Sequence, residues 1–456
     1  MTVEERLRRA AAEIYARVER RPVPEPVLEA RRTRRGAAAA LAAVIVIGVV
    51  VTAVGLVALV ARDTSPAGRG SWVKVPFAAT GFDLGSRVQS VTGGGSGVVA
   101  VGSVRQSIAR ATAGVWTSVD GRRWEAVPSE QFGAVELEHV VKTSDGLFVF
   151  GRPLVSSQAP QSVWRSRDAR QWEPITTEAP SGIRHVVAGG PGLIGAGFEL
   201  MGEPAAGVLR AAIWTSRDGR DWERVTGNGR RFPLGSVAGL VRTDDGFVAV
   251  GSEQARVGAP VTALVVWTSP DGLQWQRIRD DRALRDAPPA ASAPLAAMKD
   301  GLLLVASIPS PAPAPTTTTT TAPPQPQLGT ARLCGVRTGI EAAFSSRDGT
   351  RWTQLTSDPP PLPGVTEVIA AHGRWLAAGM EGTCEATRAV AYTSDNAKHW
   401  NRAIQDRRPA GPGPIRFPMA LGATKDGAVV LVGDLEQIIA GQGGPDVWLW
   451  TAGTTK

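Results

Sequence analysis

The sequence predicts an all-β fold: a seven-bladed β-propeller of four-stranded blades, its last blade closed by the N-terminal strand, preceded by one transmembrane helix. Three observations carry the propeller. A tryptophan-bearing phrase of thirteen residues recurs, a second hairpin phrase recurs between its copies, and the two ends of the chain hold the halves of one further copy. The phrase Val115–Val127, VWTSVDGRRWEAV, returns at Val163–Ile175, Ile213–Val225, Val266–Ile278, Ala343–Leu355 and Ala391–Ala403. Its final tryptophans, Trp124, Trp172, Trp222, Trp275, Trp352 and Trp400, stand 48, 50, 53, 77 and 48 residues apart. Only Trp375 lies outside these copies and their split seventh member. A period near fifty residues belongs to propellers and solenoids.

Each phrase reads as a tight hairpin. A β-branched run ends in Trp-Thr-Ser, an Asp-Gly corner follows, and a second run opens with Trp. Gly accepts positive φ at such a corner, and the Asp carboxylate bonds nearby backbone N–H groups. The second phrase, seen in Asp145–Gly151 and Asp245–Gly251, forms another hairpin upstream. Two hairpins make four strands, A to D, the content of one propeller blade. Trp448–Thr451 reads as a strand C with no strand D after it, whereas Ser71–Val75 matches Arg123–Val127. The N-terminal strand is therefore expected to complete blade seven and leave no raw edge. The propeller is assigned to residues 71–456.

These corners resemble the Asp-box family, the bacterial neuraminidase repeat of sialidase-like propellers, whose motif is Ser-x-Asp-x-Gly-x-x-Trp. The resemblance covers nearly everything from Ser71 onward and repeats in register. In Ser118-Val119-Asp120-Gly121-Arg122-Arg123-Trp124 the Gly directly follows the Asp, one residue short of the family pattern, and Ala169, Asn396 and Ala397 depart further. The resemblance implies a fold and makes Asp120, Asp168, Asp218, Asp271 and Asp348 structural turn-formers rather than catalytic acids. A sialidase of this family needs a tyrosine nucleophile with a partner carboxylate, an arginine triad and an acid/base aspartate. The two tyrosines do not supply it: Tyr15 precedes the propeller, and Tyr392 replaces a repeat tryptophan. Ile415-Arg416-Phe417-Pro418 only superficially resembles the Phe-Arg-Ile-Pro motif, and sialidase propellers have six blades. The expectation is a protein that is not an enzyme, with no cofactor and no metal.

Residues 37–61 are an uncharged apolar stretch, roughly 37 Å long as a helix and so long enough to cross a hydrocarbon core of about 30 Å. Arg31, Arg32, Arg34 and Arg35 precede it, and only Arg62, offset by Asp63, follows closely. The positive-inside rule then places the N-terminus in the cytoplasm and the propeller outside, a single-pass plasma-membrane protein with a lipid bilayer partner at 37–61. A cleaved signal peptide is the competing reading, but the stretches before and within the apolar run are long for one. Residues 1–36 form a basic, amphipathic cytoplasmic segment: Thr2 and Glu5 make a capping-box pattern, and Val3, Leu7, Ala10, Ile14 and Val18 fall on one stripe. It reads as a helix on the inner membrane surface or as a partner-docking helix. Residues 62–70 form a short tether entering at strand D, which would hold the Asp-box face toward the membrane and turn the B–C and D–A loops outward.

The formal charge of +8 is split between +4 in residues 1–36 and +4 in the other 420 residues, with no basic patch, so no nucleic-acid partner is expected. The excess of Arg over Lys, 44 to 6, fits a GC-rich genome such as an actinobacterium's. Residues 309–327, PSPAPAPTTTTTTAPPQPQ, cannot bury a core and read as a disordered insert in the B–C loop of blade five, a candidate for O-linked sugar or an unmodified tolerated insertion. Cys334 and Cys384 fall in the B–C loops of adjacent blades, a candidate disulfide in an oxidising exterior, with two free thiols as the alternative.

Chemistry is sparse. His139 and His185 occupy one register of strand A in adjacent blades, with Glu138, Arg184 and Glu367 in the same register. Strand A lines a propeller's channel, so these five are the channel-lining candidates, either polar residues facing a wet channel or contacts to a ligand. The reading is a membrane-anchored extracytoplasmic binding or assembly module for a protein or envelope glycan on the B–C/D–A loop face. The alternative is a divergent glycoside hydrolase acting on cell-envelope sugars, which would need two carboxylates at a defined separation.

Overall fold

The computed structural model describes residues 71–451, apart from 95–96, 108–109, 155–158, 203–207, 227–231, 255–260, 280, 286–292, 308–340, 356–361, 363, 384–385, 406–415, 435–437, 439–440 and 442. The segments 1–36, 37–61 and 62–70, the insert 309–327, Cys334 and Cys384 lie outside the described residues. Everything described belongs to the second of the two units into which the chain divides, Ser65–Lys456. Among the described residues no helix is long and apolar enough to cross a membrane.

Seven separate four-stranded antiparallel sheets make the ring. Blade 1 is β2 (Ser86–Gly94), β3 (Gly97–Arg105), β4 (Ala111–Ser118) and β5 (Glu125–Val127). Blade 2 is β6 (Val135–Thr143), β7 (Gly146–Pro153), β8 (Gln161–Ser166) and β9 (Glu173–Ala179). Blade 3 is β10 (Ile183–Gly189), β11 (Gly192–Met201), β12 (Val208–Ser216) and β13 (Glu223–Arg224). Blade 4 is β14 (Gly235–Thr243), β15 (Gly246–Gln254), β16 (Val261–Ser269) and β17 (Gln276–Ile278). Blade 5 is β18 (Leu295–Met298), β19 (Gly301–Ser307), β20 (Glu341–Ser346) and β21 (Trp352–Leu355). Blade 6 is β22 (Val365–Ala371), β23 (Arg374–Thr383), β24 (Ala386–Ser394) and β25 (Asn401–Gln405). Blade 7 is β26 (Arg416–Ala423), β27 (Gly427–Asp434), β28 (Asp446–Thr451) and, as its fourth strand, β1 (Ser71–Val75).

The first strand of each blade packs against the first strands of its two neighbours, in the closed cycle β2, β6, β10, β14, β18, β22, β26 and back to β2. Those strands are therefore innermost. The strands behind them are buried on both faces, which is why Val98, Val99, Ala100 and Val101 run consecutively apolar rather than alternating. The core lies in the seams: one cluster joins Val99 and Val115 of blade 1 to Leu137 and Val149 of blade 2, and another joins Ile194 and Ile213 of blade 3 to Val237 and Ala249 of blade 4. A phenylalanine ahead of strand A supports the tryptophans of its own blade. Phe82 lies 5.2 Å from both Trp116 and Trp124, and Phe132 lies 5.4 Å from Trp164 and 5.9 Å from Trp172. Each fully buried tryptophan contributes about 4–6 kcal/mol at ~25 cal/mol per Å².

The C–D corners share one wiring. In blade 1 the Ser118 hydroxyl accepts the Gly121 N–H at 2.9 Å, Asp120 Oδ1 accepts the Arg122 N–H at 2.8 Å, and the Trp124 indole donates to the Gly121 carbonyl at 3.0 Å. Asp168, Asp218, Asp271 and Asp348 accept the N–H two residues on at 2.8–2.9 Å. Backbone N–H groups, first those of Gln171, Gln274 and Thr350, hold the carboxyls of Asp168, Asp271 and Asp348 below the usual range. Asn396 does the same work with its amide oxygen, accepting from Lys398 and His399 at 2.9 Å. The glycine position is left-handed, φ 77° at Gly121, and where alanine stands there the backbone keeps that shape: φ is 65° at Ala169 and 60° at Ala397. An L side chain in this region costs about 1–2 kcal/mol, part of which glycine's greater unfolded-state entropy would give back. Ala169→Gly and Ala397→Gly are each expected to stabilise the propeller by about 0.5–1 kcal/mol, read from urea denaturation midpoints.

Blade 7 closes the ring through β1. Trp72 pairs with Trp450 and Val75 with Val447. Asp446, 8% exposed, fastens the joint: its Oδ2 lies 3.0 Å from Lys74 Nζ and its Oδ1 accepts the Phe77 N–H at 2.8 Å. Asp446→Ala is expected to cost about 2–3 kcal/mol, since it removes charge-assisted bonds to two groups of the N-terminal segment. The same denaturation experiment reads it, and an unchanged midpoint would show that β1 is held by ladder bonds and packing alone.

Candidate functional site

The inner strands are not regular. Six of the seven break register at one equivalent place, where Gln89, Glu138, Arg184, Ala238, Thr366 and Met419 are the extra residues. Facing the break, strand B carries glycine in blades 1 to 4 and 6, and Val432 stands there in blade 7. A Cβ on Gly102 would lie 1.9 Å from the Arg87 carbonyl oxygen, and one on Gly251 would lie 2.1 Å from that of Ser236. The bulge thus presses strand A onto strand B, and at these glycines only a missing side chain makes room. The residue after the bulge then reaches the next blade: Ser90 Oγ accepts the Val140 N–H at 3.3 Å, and Glu367 Oε2 accepts the Leu421 N–H at 2.5 Å.

Behind the bulge most blades are apolar or nearly so, and blades 1 to 3 are not. In blade 2 Glu138 Oε2 takes Arg152 Nη2 at 2.7 Å and Gln161 Nε2 at 3.2 Å. Arg152 is 6% exposed and Gln161 0%. Gln161 Nε2 also donates to the Ile183 carbonyl of blade 3 at 3.0 Å. One seam earlier, Glu136 Oε1 accepts from Gln89 Nε2 at 3.1 Å, Ser103 Oγ at 3.2 Å and Arg87 Nη1 at 3.4 Å. In blade 3 Arg184 Nη1 donates to the carbonyls of Ser181 at 2.9 Å and Ile183 at 2.8 Å, and its guanidinium carbon lies 4.7 Å over the Phe198 ring. These groups come from the starts of strands A and C and the end of strand B, the end of the blade that carries the B–C and D–A loops.

The electrostatics have one consistent sense. Burial pushes His139 down to about 3, helped by His185, Arg184 and Arg152, and burial and Arg184 push His185 down to about 4. Both imidazoles are neutral at pH 7. The His139 Nε2 atom is buried with no hydrogen-bond partner. Burial also lowers Arg184, aided by Arg152 and opposed by Glu138. Glu136 is engaged by Arg87 and Glu138 by Arg152, so the Arg184 guanidinium is left without a carboxylate bonded to it among the described residues.

Four of the five residues singled out in the sequence, Glu138, His139, Arg184 and His185, are thus brought together across blades 2 and 3. Glu367 is not with them. It lies in blade 6, where burial pushes its carboxyl up to about 7 against the opposing Leu421 N–H. The sequence reading missed Glu136, Arg152, Gln161 and Phe198. A usable signal exists for two of them: Arg152 and Phe198 each follow the glycine that faces the bulge, as Ser103 follows Gly102. Tyr392, set aside in the sequence, is buried with its hydroxyl donating to Glu381 Oε1 at 2.9 Å. On the opposite face a depression of about 320 Å³ between the corners of blades 1 and 2 is lined by Asp120 and Asp168, whose carboxylates are occupied by their own turns. Among the described residues no cluster of three or more metal-ligating side chains occurs.

No family model and no curated protein matches the chain. Solved structures do, at low identity. The acylaminoacyl peptidase of Pyrococcus horikoshii aligns with a TM-score of 0.46 and 10% identity over 80% of this chain, which spans about half, 51%, of the peptidase. The polysaccharide lyase Uly1 aligns with a TM-score of 0.46 and 9% identity, covering 86% of this chain and 94% of the lyase. The phage phi92 endosialidase aligns with a TM-score of 0.43 and 10% identity, covering 87% and 72%. Likeness at this level concerns the fold. It also corrects the expectation of a protein that is not an enzyme: the similar structures belong to a peptidase, a lyase and an endosialidase, so a chain of this shape gives no ground for setting catalysis aside.

Glu367 provides a pH test with a definite sign. Its folded value of about 7 lies above the ordinary glutamate value of 4.5. A carboxyl raised on folding adds stability that is complete below its unfolded value and lost as the pH rises through the folded one. Glu367→Gln keeps an oxygen for the Leu421 N–H and carries no charge. The variant is expected to be more stable than the parent at pH 8, by on the order of 3 kcal/mol, and equal to it near pH 4.5. Paired thermal midpoints across that range measure the difference, which cancels the opposing titration of the histidines.

Proposed function

We propose that the chain is a membrane-anchored, extracytoplasmic propeller that binds an anionic envelope glycan at the B–C/D–A end of its channel, over blades 2 and 3. One observation carries the reading. The two carboxylates of the cluster are each engaged by an arginine, and Arg184 remains as a surplus cation lying over an aromatic ring. A guanidinium beside an aromatic face suits a sugar ring bearing a carboxylate or sulfate, because the fork bonds two oxygens of the anion and the ring packs against the sugar's C–H face. The neutral imidazoles of His139 and His185 add hydrogen-bonding capacity without adding charge. The anchor at 37–61 places this site outside the cell and the tether 62–70 turns it away from the bilayer; both belong to the proposal.

A second reading, hydrolysis of a cell-envelope sugar, is favoured by Glu367, a carboxyl near neutrality on a channel-side strand and so suited to move a proton at pH 7. Release of reducing ends from envelope polysaccharide, abolished in Glu367→Gln, would support it.

Binding of full-length protein in detergent to neutral, uronate-bearing and sulfated oligosaccharides tests the first reading. The anionic oligosaccharides are expected to bind, and Arg184→Gln is expected to weaken them about 10- to 100-fold, the worth of a charge-assisted hydrogen bond. Equal binding of neutral and anionic sugars, or an Arg184→Gln variant that binds like the parent, would refute it.

A further inference from the structure

Blade 3 carries a trio of charged residues that blade 6 repeats. Glu199 pairs in register with Arg210, and Arg224 stands opposite Trp214. In blade 6 Glu381 pairs with Arg388, and Arg402 stands opposite Tyr392. In both blades the two positions on strand C are four residues apart, so the three charged side chains share one face of the sheet.

In blade 6 the trio closes on itself. Arg388 reaches Glu381 Oε2 with Nε at 3.3 Å and Nη2 at 2.8 Å, Arg402 bonds the same oxygen, and Tyr392 donates to the other. In blade 3 it stays open. Trp214 has no hydroxyl to offer, and Arg210 forms no ion pair among the described residues. Arg224 Nη2 lies 3.1 Å from Glu199 Oε2, an ion pair. Two buried donors, Arg210 Nε and Arg224 Nε, have no acceptor. Buried donors are seldom left so, because each has given up its water without a replacement. Both trios set two guanidinium groups against one carboxylate and so leave one positive charge, but only in blade 3 do guanidinium donors stay unmet. Blade 4 makes the contrast: Ala263 stands opposite Glu253, and the single Arg277 neutralises it.

We propose that Arg210 and Arg224 form an oxyanion site on blade 3, which accepts a carboxylate or sulfate group at the guanidinium donors that Glu199 leaves unmet. The site is distinct from the Arg184–Phe198 contact. Phe198, on which Arg184 rests, precedes Glu199 on the same strand and so points to the opposite face of the blade.

The test is a titration of full-length protein in detergent with sodium sulfate and, separately, sodium acetate, at ionic strength held constant with chloride. Thermal midpoint and calorimetric heat are read together. A saturable response to either anion is expected, sulfate alone marking a tetrahedral ligand and acetate alone a planar one. Arg210→Gln is expected to weaken that response about tenfold or more, whereas Arg388→Gln in blade 6 leaves it unchanged. Arg210→Lys keeps the charge but lacks the Nε–H; it too is expected to weaken binding, and it decides the matter if Arg210→Gln does not fold. No saturable response in the parent, or an undiminished one in both Arg210 variants, overturns the site. A response lost in Arg184→Gln and kept in Arg210→Gln overturns it as well, while leaving the channel reading in place.

Discussion

Between blades the ring is held mostly by side chains. Hydrogen-bonded ladders run within each of the seven sheets and stop at the blade edge, so cohesion between blades falls on the apolar seams. That requirement explains the unusual content of the strands. Both faces of a blade meet a neighbour, strand B becomes continuously apolar, and a large flat residue is needed where the blades splay outward. The tryptophans at the C–D corners meet that need, and their indole N–H groups are satisfied by the corner carbonyls, so a polar edge is buried without loss.

At the inner end the same geometry has the opposite effect. The blades converge, strand A is squeezed, and the repeated bulge with its facing glycine absorbs the crowding. Polar atoms there are hard to accommodate, since burial of an ion pair recovers its desolvation cost only with good geometry and filled lone pairs. The Glu138–Arg152 pair, braced by Gln161, stands where blade 4 has Ala238, Ser252 and Leu264 and blade 6 has Thr366, Met380 and Ala389. An apolar filling is evidently possible at this position. That one sector of the ring forgoes it supports the reading of blades 2 and 3 as a recognition surface rather than a piece of core.

Much of the architecture is legible in one dimension because it depends on local pattern. Blade number follows from the count of the recurring C–D phrase, six whole copies and one split, and closure from the match of Ser71–Val75 to Arg123–Val127, which the pairing of Trp72 with Trp450 realises. Even the substitution of Ala169 and Ala397 for glycine leaves the corners intact, because the Ser, Asp or Asn and Trp contacts over-determine the turn. The shared register of His139 and His185 was readable for the same reason: equivalent positions in a repeat occupy equivalent places.

The chain's periodicity alone determined the fold class, the number of blades, the split seventh blade and the strands that line the channel, since each depends on contacts between residues at fixed spacings. The tertiary structure decided which polar residues meet. Glu136 is bonded by side chains of the preceding blade, Gln161 bridges to the following one, and Arg210 is left open where its counterpart Arg388 is closed. Those outcomes turn on side-chain reach across seams and on which faces of a blade are opposed. Such distances are set by the packing of the whole ring, and no spacing along the chain encodes them.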